Sequence, residues 1–86
     1  MRFLISRHAE QEMARRQIPR DWLDSVLESP EQRVPQPGDK EILQSRFTAR
    51  GGKMYLLRVV VAADREPAAV VTLYRTSKIE KYWRAE

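Results

Sequence analysis

Between residues 5 and 17 apolar side chains return every fourth position, at Ile5, Ala9 and Met13, with no glycine or proline in the run. Residues four apart share one side of an α-helix, so the spacing predicts a short helix with Ser6 as its N-cap and an end near Gln17. The same geometry gathers His8, Glu12, Arg15 and Arg16 on a neighbouring stripe. A second helix follows Pro19 and Asp21, both suited to a first turn, with Leu23, Val26 and Leu27 as its apolar face and Ser29-Pro30 as its stop.

The period then falls from four to two. Residues 41–50, EILQSRFTAR, place Leu43, Ser45 and Phe47 on one face of a strand, and the GGK that follows is a hairpin turn. MYLLRVVVAA is apolar at both parities, which marks a central strand covered on two sides, with Arg58 its single interruption. DREP makes the next turn. AAVVTLYRTS then sets Val70, Thr72, Tyr74 and Thr76 against Val71, Leu73 and Arg75. EQRVPQPGDK, with its prolines and glycine, supports at most a short edge strand over 32–34 before a loop, and SKIEKYWRA predicts one or two helical turns capped by Ser77. The expected architecture is a single α+β domain over residues 1–86, with two N-terminal helices on one face of a three- to four-stranded antiparallel sheet and a short C-terminal helix.

Composition narrows the setting. In 86 residues there is no apolar run long enough to span a bilayer, and there is no cysteine for disulfides or thiolate ligands. A cytoplasmic location without membrane attachment is expected. The formal charge of +4 is unevenly spread: residues 1–45 hold 7 bases and 8 acids, residues 46–86 hold 9 bases and 4 acids. A basic second half suits a polyanion such as RNA, and it equally suits an ordinary solvated surface.

Three sets of residues bear chemistry. Arg58, between Leu57 and Val59, needs either an open cleft or a partner, for which Glu10, Glu12 and Asp24 of the helices are candidates. His8, the lone histidine, is a general base or a plain surface side chain according to its surroundings. Arg75, Thr76, Ser77, Lys78, Lys81 and Tyr82, with Lys53 at the preceding hairpin, combine guanidinium and ammonium groups with hydroxyls and a ring, the kit for gripping phosphates and stacking bases. One histidine without cysteines gives no ordinary zinc site, RGGK lacks P-loop spacing, and no Gly-x-Ser-x-Gly elbow is present. Metal-independent cleavage of RNA, in which the 2′-hydroxyl attacks its own phosphate, remains open to such residues. No cofactor is called for.

The stretches SRHAEQEMARRQIP, VLESPE, GGKMYLLRVVV and VVTLYRTSKIEKYW resemble the domain of unknown function family 4258, which is grouped with RelE- and BrnT-like toxin folds. The resemblance implies two helices on a curved antiparallel sheet and a small ribonuclease-like toxin of a bacterial toxin–antitoxin pair. Its partners would be RNA, free or ribosome-bound, and a small antitoxin protein. It points to His8, Arg16, Arg58, and Thr76 and Tyr82 of the closing motif; a nuclease built on them would use His8 as general base or acid, Arg58 with Arg75 to neutralise the phosphorane, and Tyr82 to assist proton transfer or to stack. Arg15, Arg16, Lys53, Lys78 and Lys81 would hold the RNA backbone. Glu12 departs from the pattern, which often carries arginine there. The rival expectations are a non-catalytic RNA- or partner-binding module of the same fold, and a purely structural role for Arg58 and the tail. Catalysis requires His8 and Arg58 to open onto one hollow.

Overall fold

The computed structural model describes residues 2–85 and runs β1 (Phe3–Ile5), α1 (Arg7–Arg15), α2 (Arg20–Glu28), β2 (Gln32–Pro35), β3 (Lys40–Thr48), β4 (Met54–Ala62), β5 (Ala68–Thr76) and α3 (Ile79–Tyr82). The strands form one sheet in the order β1-β5-β4-β3-β2, all antiparallel except β1, which lies parallel to β5. The sheet is therefore five-stranded and mixed, not the three to four antiparallel strands expected. Three residues of β1 are too few to display an alternation, and Ile5, counted above on the α1 stripe, belongs to this strand instead.

Ser6 caps α1 as its sequence position suggested. Its Oγ accepts from the Ala9 N–H and donates to the Val71 carbonyl, each at 3.0 Å, so one hydroxyl both starts the helix and ties it to β5. At the other end α1 stops at Arg15, and Gln17 takes a left-handed φ of 54° while the Ile18 N–H reaches back to the Met13 carbonyl at 2.9 Å. This is a helix ending that normally uses glycine. Gln17→Gly is accordingly expected to stabilise the domain by about 0.5–1 kcal/mol, read as a higher urea midpoint with an unchanged slope.

Helices α1 and α2 cover one face of the sheet, α1 over β5 and α2 over β3 and β4. Ala9, Met13, Ile18, Leu23 and Val26 meet Leu43, Leu57, Val59, Val61, Val70 and Leu73 in a continuous buried core. Central β4 is buried on both sides, with Leu56 and Leu57 each at 0% exposure, as its unbroken apolar run required. In β5 the simple alternation fails at one place. A bulge at Val60/Val61 pairs Val61 with Val70 and Val59 with Leu73, so Val70 faces the helices together with Leu73, while Thr72, Tyr74 and Thr76 keep the opposite face.

That opposite face receives α3. Its N-cap is Lys78, without a side-chain bond, and the hydroxyl that organises the turn is Thr76 Oγ1, which accepts from the Lys78 N–H at 3.0 Å in place of the expected Ser77 cap. Among the described residues no helix is long and apolar enough to cross a membrane.

Candidate functional site

On the α3 face, Gln32, Gln44, Arg58 and Tyr74 stand directly opposite one another across β2, β3, β4 and β5. They form a hydrogen-bonded row. Arg58 Nε donates to Gln44 Oε1 at 2.9 Å and Arg58 NH1 to the Tyr74 hydroxyl at 2.6 Å, while Gln44 Nε2 donates to Gln32 Oε1 at 2.8 Å. The row also holds the C-terminal segment: Gln44 Nε2 reaches the Tyr82 carbonyl at 3.2 Å, Gln32 Nε2 the Arg84 carbonyl at 2.7 Å, and the Arg84 N–H returns to Gln32 Oε1 at 3.1 Å. Tyr82 closes over the top, its ring centroid 4.2 Å from the Arg58 guanidinium carbon and edge-on to Tyr74.

Arg58 is only 7% exposed. The carboxylates considered as its partners, Glu10, Glu12 and Asp24, are carried by the helices on the other side of the sheet, and among the described residues Arg58 forms no ion pair. Its charge is instead met by an amide oxygen, a phenol and a ring face, all neutral. The arginine thus lies beneath α3 and anchors that helix through the Tyr82 ring.

His8 does not join it. The imidazole is exposed in the first turn of α1, on the helix face, and the sheet stands between the two groups. Arg75 is likewise on the helix face, opposite Leu57, whereas Thr76, opposite Leu56, shares the face of Arg58 and Tyr82. Among the described residues His8 and Arg58 therefore lie on opposite faces of the sheet and do not open onto one hollow, because strand alternation sends Arg58 away from the layer that carries α1. Glu12, the position at which this chain was expected to depart from the resemblance, binds both neighbouring cations: Arg15 NH2 at 2.7 Å and Arg16 Nε at 2.8 Å. The Arg15 and then the Arg16 hydrogen bonds hold the Glu12 carboxyl down from 4.5 to about 2. A depressed acid stabilises the fold above its unfolded value, so this contribution is expected to be complete above pH 4.5 and to fade as pH falls towards 2. A side-chain carboxyl NMR titration of Glu12 would check it, with a midpoint near 4.5 ruling out the paired geometry.

The remaining bases divide by position. Arg20 pairs with Glu10 and Asp24, Arg33 with Glu41, and Arg46 with Glu31, whose carboxyl is lowered by bonds from the Arg46 side chain and backbone. Arg46 also lies 4.0 Å over the Trp83 ring, a second clamp on the tail. Arg50, Lys53, Arg75, Lys78 and Lys81 have no ion pair among the described residues, nor do Arg2, Arg7, Lys40 and Arg84 elsewhere in the chain. The β3–β4 turn carries Arg50 and Lys53, and the end of β5 and the start of α3 carry Arg75 and Lys78 beside it, so four of these charges crowd one end of the sheet. Aromatic rings lie among them, with Arg75 4.7 Å and Lys53 5.6 Å from the Tyr55 ring and Lys81 5.4 Å from Tyr82.

Sequence reasoning overlooked Gln32, Gln44 and Tyr74. The available signal was polar residues at strand positions whose neighbours two away are apolar, as at Gln44 beside Ile42 and Gln32 beside Val34. Among the described residues no three His, Asp or Glu side chains are placed to hold a metal ion.

A family model described as domain of unknown function (DUF4258) matches residues 5–75. The match includes Arg58 and Arg75 and ends before Thr76, Lys78, Lys81 and Tyr82. No curated protein and no solved structure matches the chain.

Proposed function

The chain belongs to the family described as domain of unknown function (DUF4258), and from the distribution of its charges we propose that it is a non-catalytic RNA-binding module. The observation that carries this reading is the grouping at one end of the sheet of four cations that have no ion pair among the described residues, Arg50, Lys53, Arg75 and Lys78, while Arg15, Arg16 and Arg20 of α1 and α2 are engaged by Glu12, Glu10 and Asp24. Unpaired cations at fixed spacing attract phosphates and release counterions on binding. Arg58 and the glutamine row serve this surface indirectly, by seating α3, the segment that carries Lys78 at its start.

The ribonuclease-like toxin reading, with a RelE- or BrnT-like fold and a small antitoxin partner, draws support from one feature: Arg58, Thr76 and Tyr82 share a face. In that reading Arg58 neutralises the phosphorane and a phenol, not His8, handles the proton. One experiment separates the two. A labelled single-stranded RNA is titrated with the full chain in EDTA, at several salt concentrations, and followed by anisotropy and by denaturing gel. The binding module gives intact RNA and an affinity that falls linearly with log salt. Cleaved RNA would favour the toxin, and salt-independent or absent binding would overturn the RNA reading itself.

A further inference from the structure

A second site lies on the helix side of the same sheet end. There Pro19 and α2 meet the β3–β4 hairpin around an open groove of about 440 Å³ lined by Asp21, Trp22, Thr48, Arg50, Tyr55 and Arg75. Its floor is aromatic: Trp22 is stacked on Phe47 at 4.7 Å and tilted against Tyr55 at 6.4 Å. Arg75 rests over the Tyr55 ring, and this guanidinium forms no ion pair among the described residues. Trp22 and Phe47 pack against the core, and Trp22, Tyr55 and Arg75 remain half-buried at its edge, so part of each stays open to solvent.

We infer that this groove is a nucleotide subsite, taking one unpaired base against the Tyr55–Arg75 pair and its phosphate on Arg50 and Lys53; the inference rests on the RNA-binding reading. Bases stack on aromatic rings and on guanidinium planes, and phosphates take the cations around them. Asp21, the acid of the lining, fixes the orientation: it repels a phosphate and accepts N–H bonds from a base edge, so the phosphate lies towards the hairpin and the base towards α2. Arg75 faces the helices and Thr76 the α3 side, so the end of β5 divides a bound strand between base capture on one face and backbone contacts at Lys78 on the other. RNA bound in this way must be single-stranded.

The test uses the full chain with Trp83→Phe, which leaves Trp22 as the sole indole. Four probes are titrated: a ten-nucleotide single-stranded RNA, cytidine 5′-monophosphate, inorganic tripolyphosphate as a charge-only anion, and a polyglutamate peptide. The RNA and the mononucleotide are expected to quench Trp22 fluorescence and the other two to leave it unchanged. Arg75→Lys, which keeps the charge and removes the plane, should weaken RNA binding roughly tenfold without altering tripolyphosphate binding, and Tyr55→Ala should do the same. Arg75→Lys keeps the test decisive if Tyr55→Ala fails to fold. Salt-dependent RNA binding with unchanged Trp22 emission and an indifferent Arg75→Lys would overturn the subsite and leave the RNA reading intact. Quenching by cytidine 5′-monophosphate in a protein that binds no RNA would do the reverse. Equal quenching by polyglutamate would overturn base capture in favour of an acidic-peptide groove.

Discussion

Arg58→Ala is expected to destabilise the domain by about 3 kcal/mol, a large share of the roughly 4–13 kcal/mol that a chain of this length holds. Truncation strands Gln44 Oε1 and the Tyr74 hydroxyl without the donors they now use and leaves a void beneath the Tyr82 ring. Arg58→Met restores much of the volume but neither hydrogen bond, so it should recover only part of the loss. Urea unfolding followed by far-UV circular dichroism measures both. A loss below about 1 kcal/mol for the alanine variant would mean that the row does not hold the C-terminal segment. The result also governs how any functional loss at Arg58 is read: a variant that loosens α3 displaces Lys78 and Lys81, so weakened binding alone would not make Arg58 a contact to RNA.

A triple change of Arg50, Lys53 and Lys78 to serine is expected to have the opposite signature, leaving stability within about 0.5 kcal/mol per site because all three are exposed and unpaired. Its effect falls on binding. Loss of three charge-assisted phosphate contacts should reduce affinity for single-stranded RNA about 100- to 1,000-fold at low salt and make the log–log salt slope shallower by about 2. Arg15→Ser with Arg16→Ser supplies the contrast, since both guanidinium groups are already engaged by Glu12, and RNA affinity should change less than about threefold. An unchanged slope in the triple variant would remove the sheet end as the RNA surface.

The two expectations differ because the C-terminal half has two kinds of cation. Arg58 is buried and woven into a neutral network, whereas Arg50, Lys53, Lys78 and Lys81 of the hairpin and tail are exposed and form no ion pair among the described residues. Both contribute to one positive region at the level of composition. Only burial tells them apart.

Much of the framework was legible from local pattern. Ala9 and Met13 line α1, Leu23 and Val26 line α2, and the two-sided apolar run of β4 is the central strand, because helix and strand periodicities are set within a few residues of chain. Ser6 was legible for the same reason: a cap acts on its own first turn. β1 was not, since three residues acquire strand character only by pairing with Ala68, Ala69 and Val70 more than sixty positions away. The face occupied by Val70 was also hidden, because a bulge changes parity through one unpaired residue that leaves no periodic trace.

The amino-acid order by itself determined the helices α1 and α2 and the long strands β3, β4 and β5, where the basic charge is concentrated, and that Arg58 interrupts a buried strand. Tertiary structure alone decided that His8 and Arg58 lie on opposite sides of the sheet, that Gln32, Gln44, Arg58 and Tyr74 form one row, and that Trp22, Tyr55 and Arg75 share a groove. The reason is geometric: periodicity assigns a side chain to a face of its own element. Which face meets which is set by strand register and layer packing, through contacts between residues far apart in the chain.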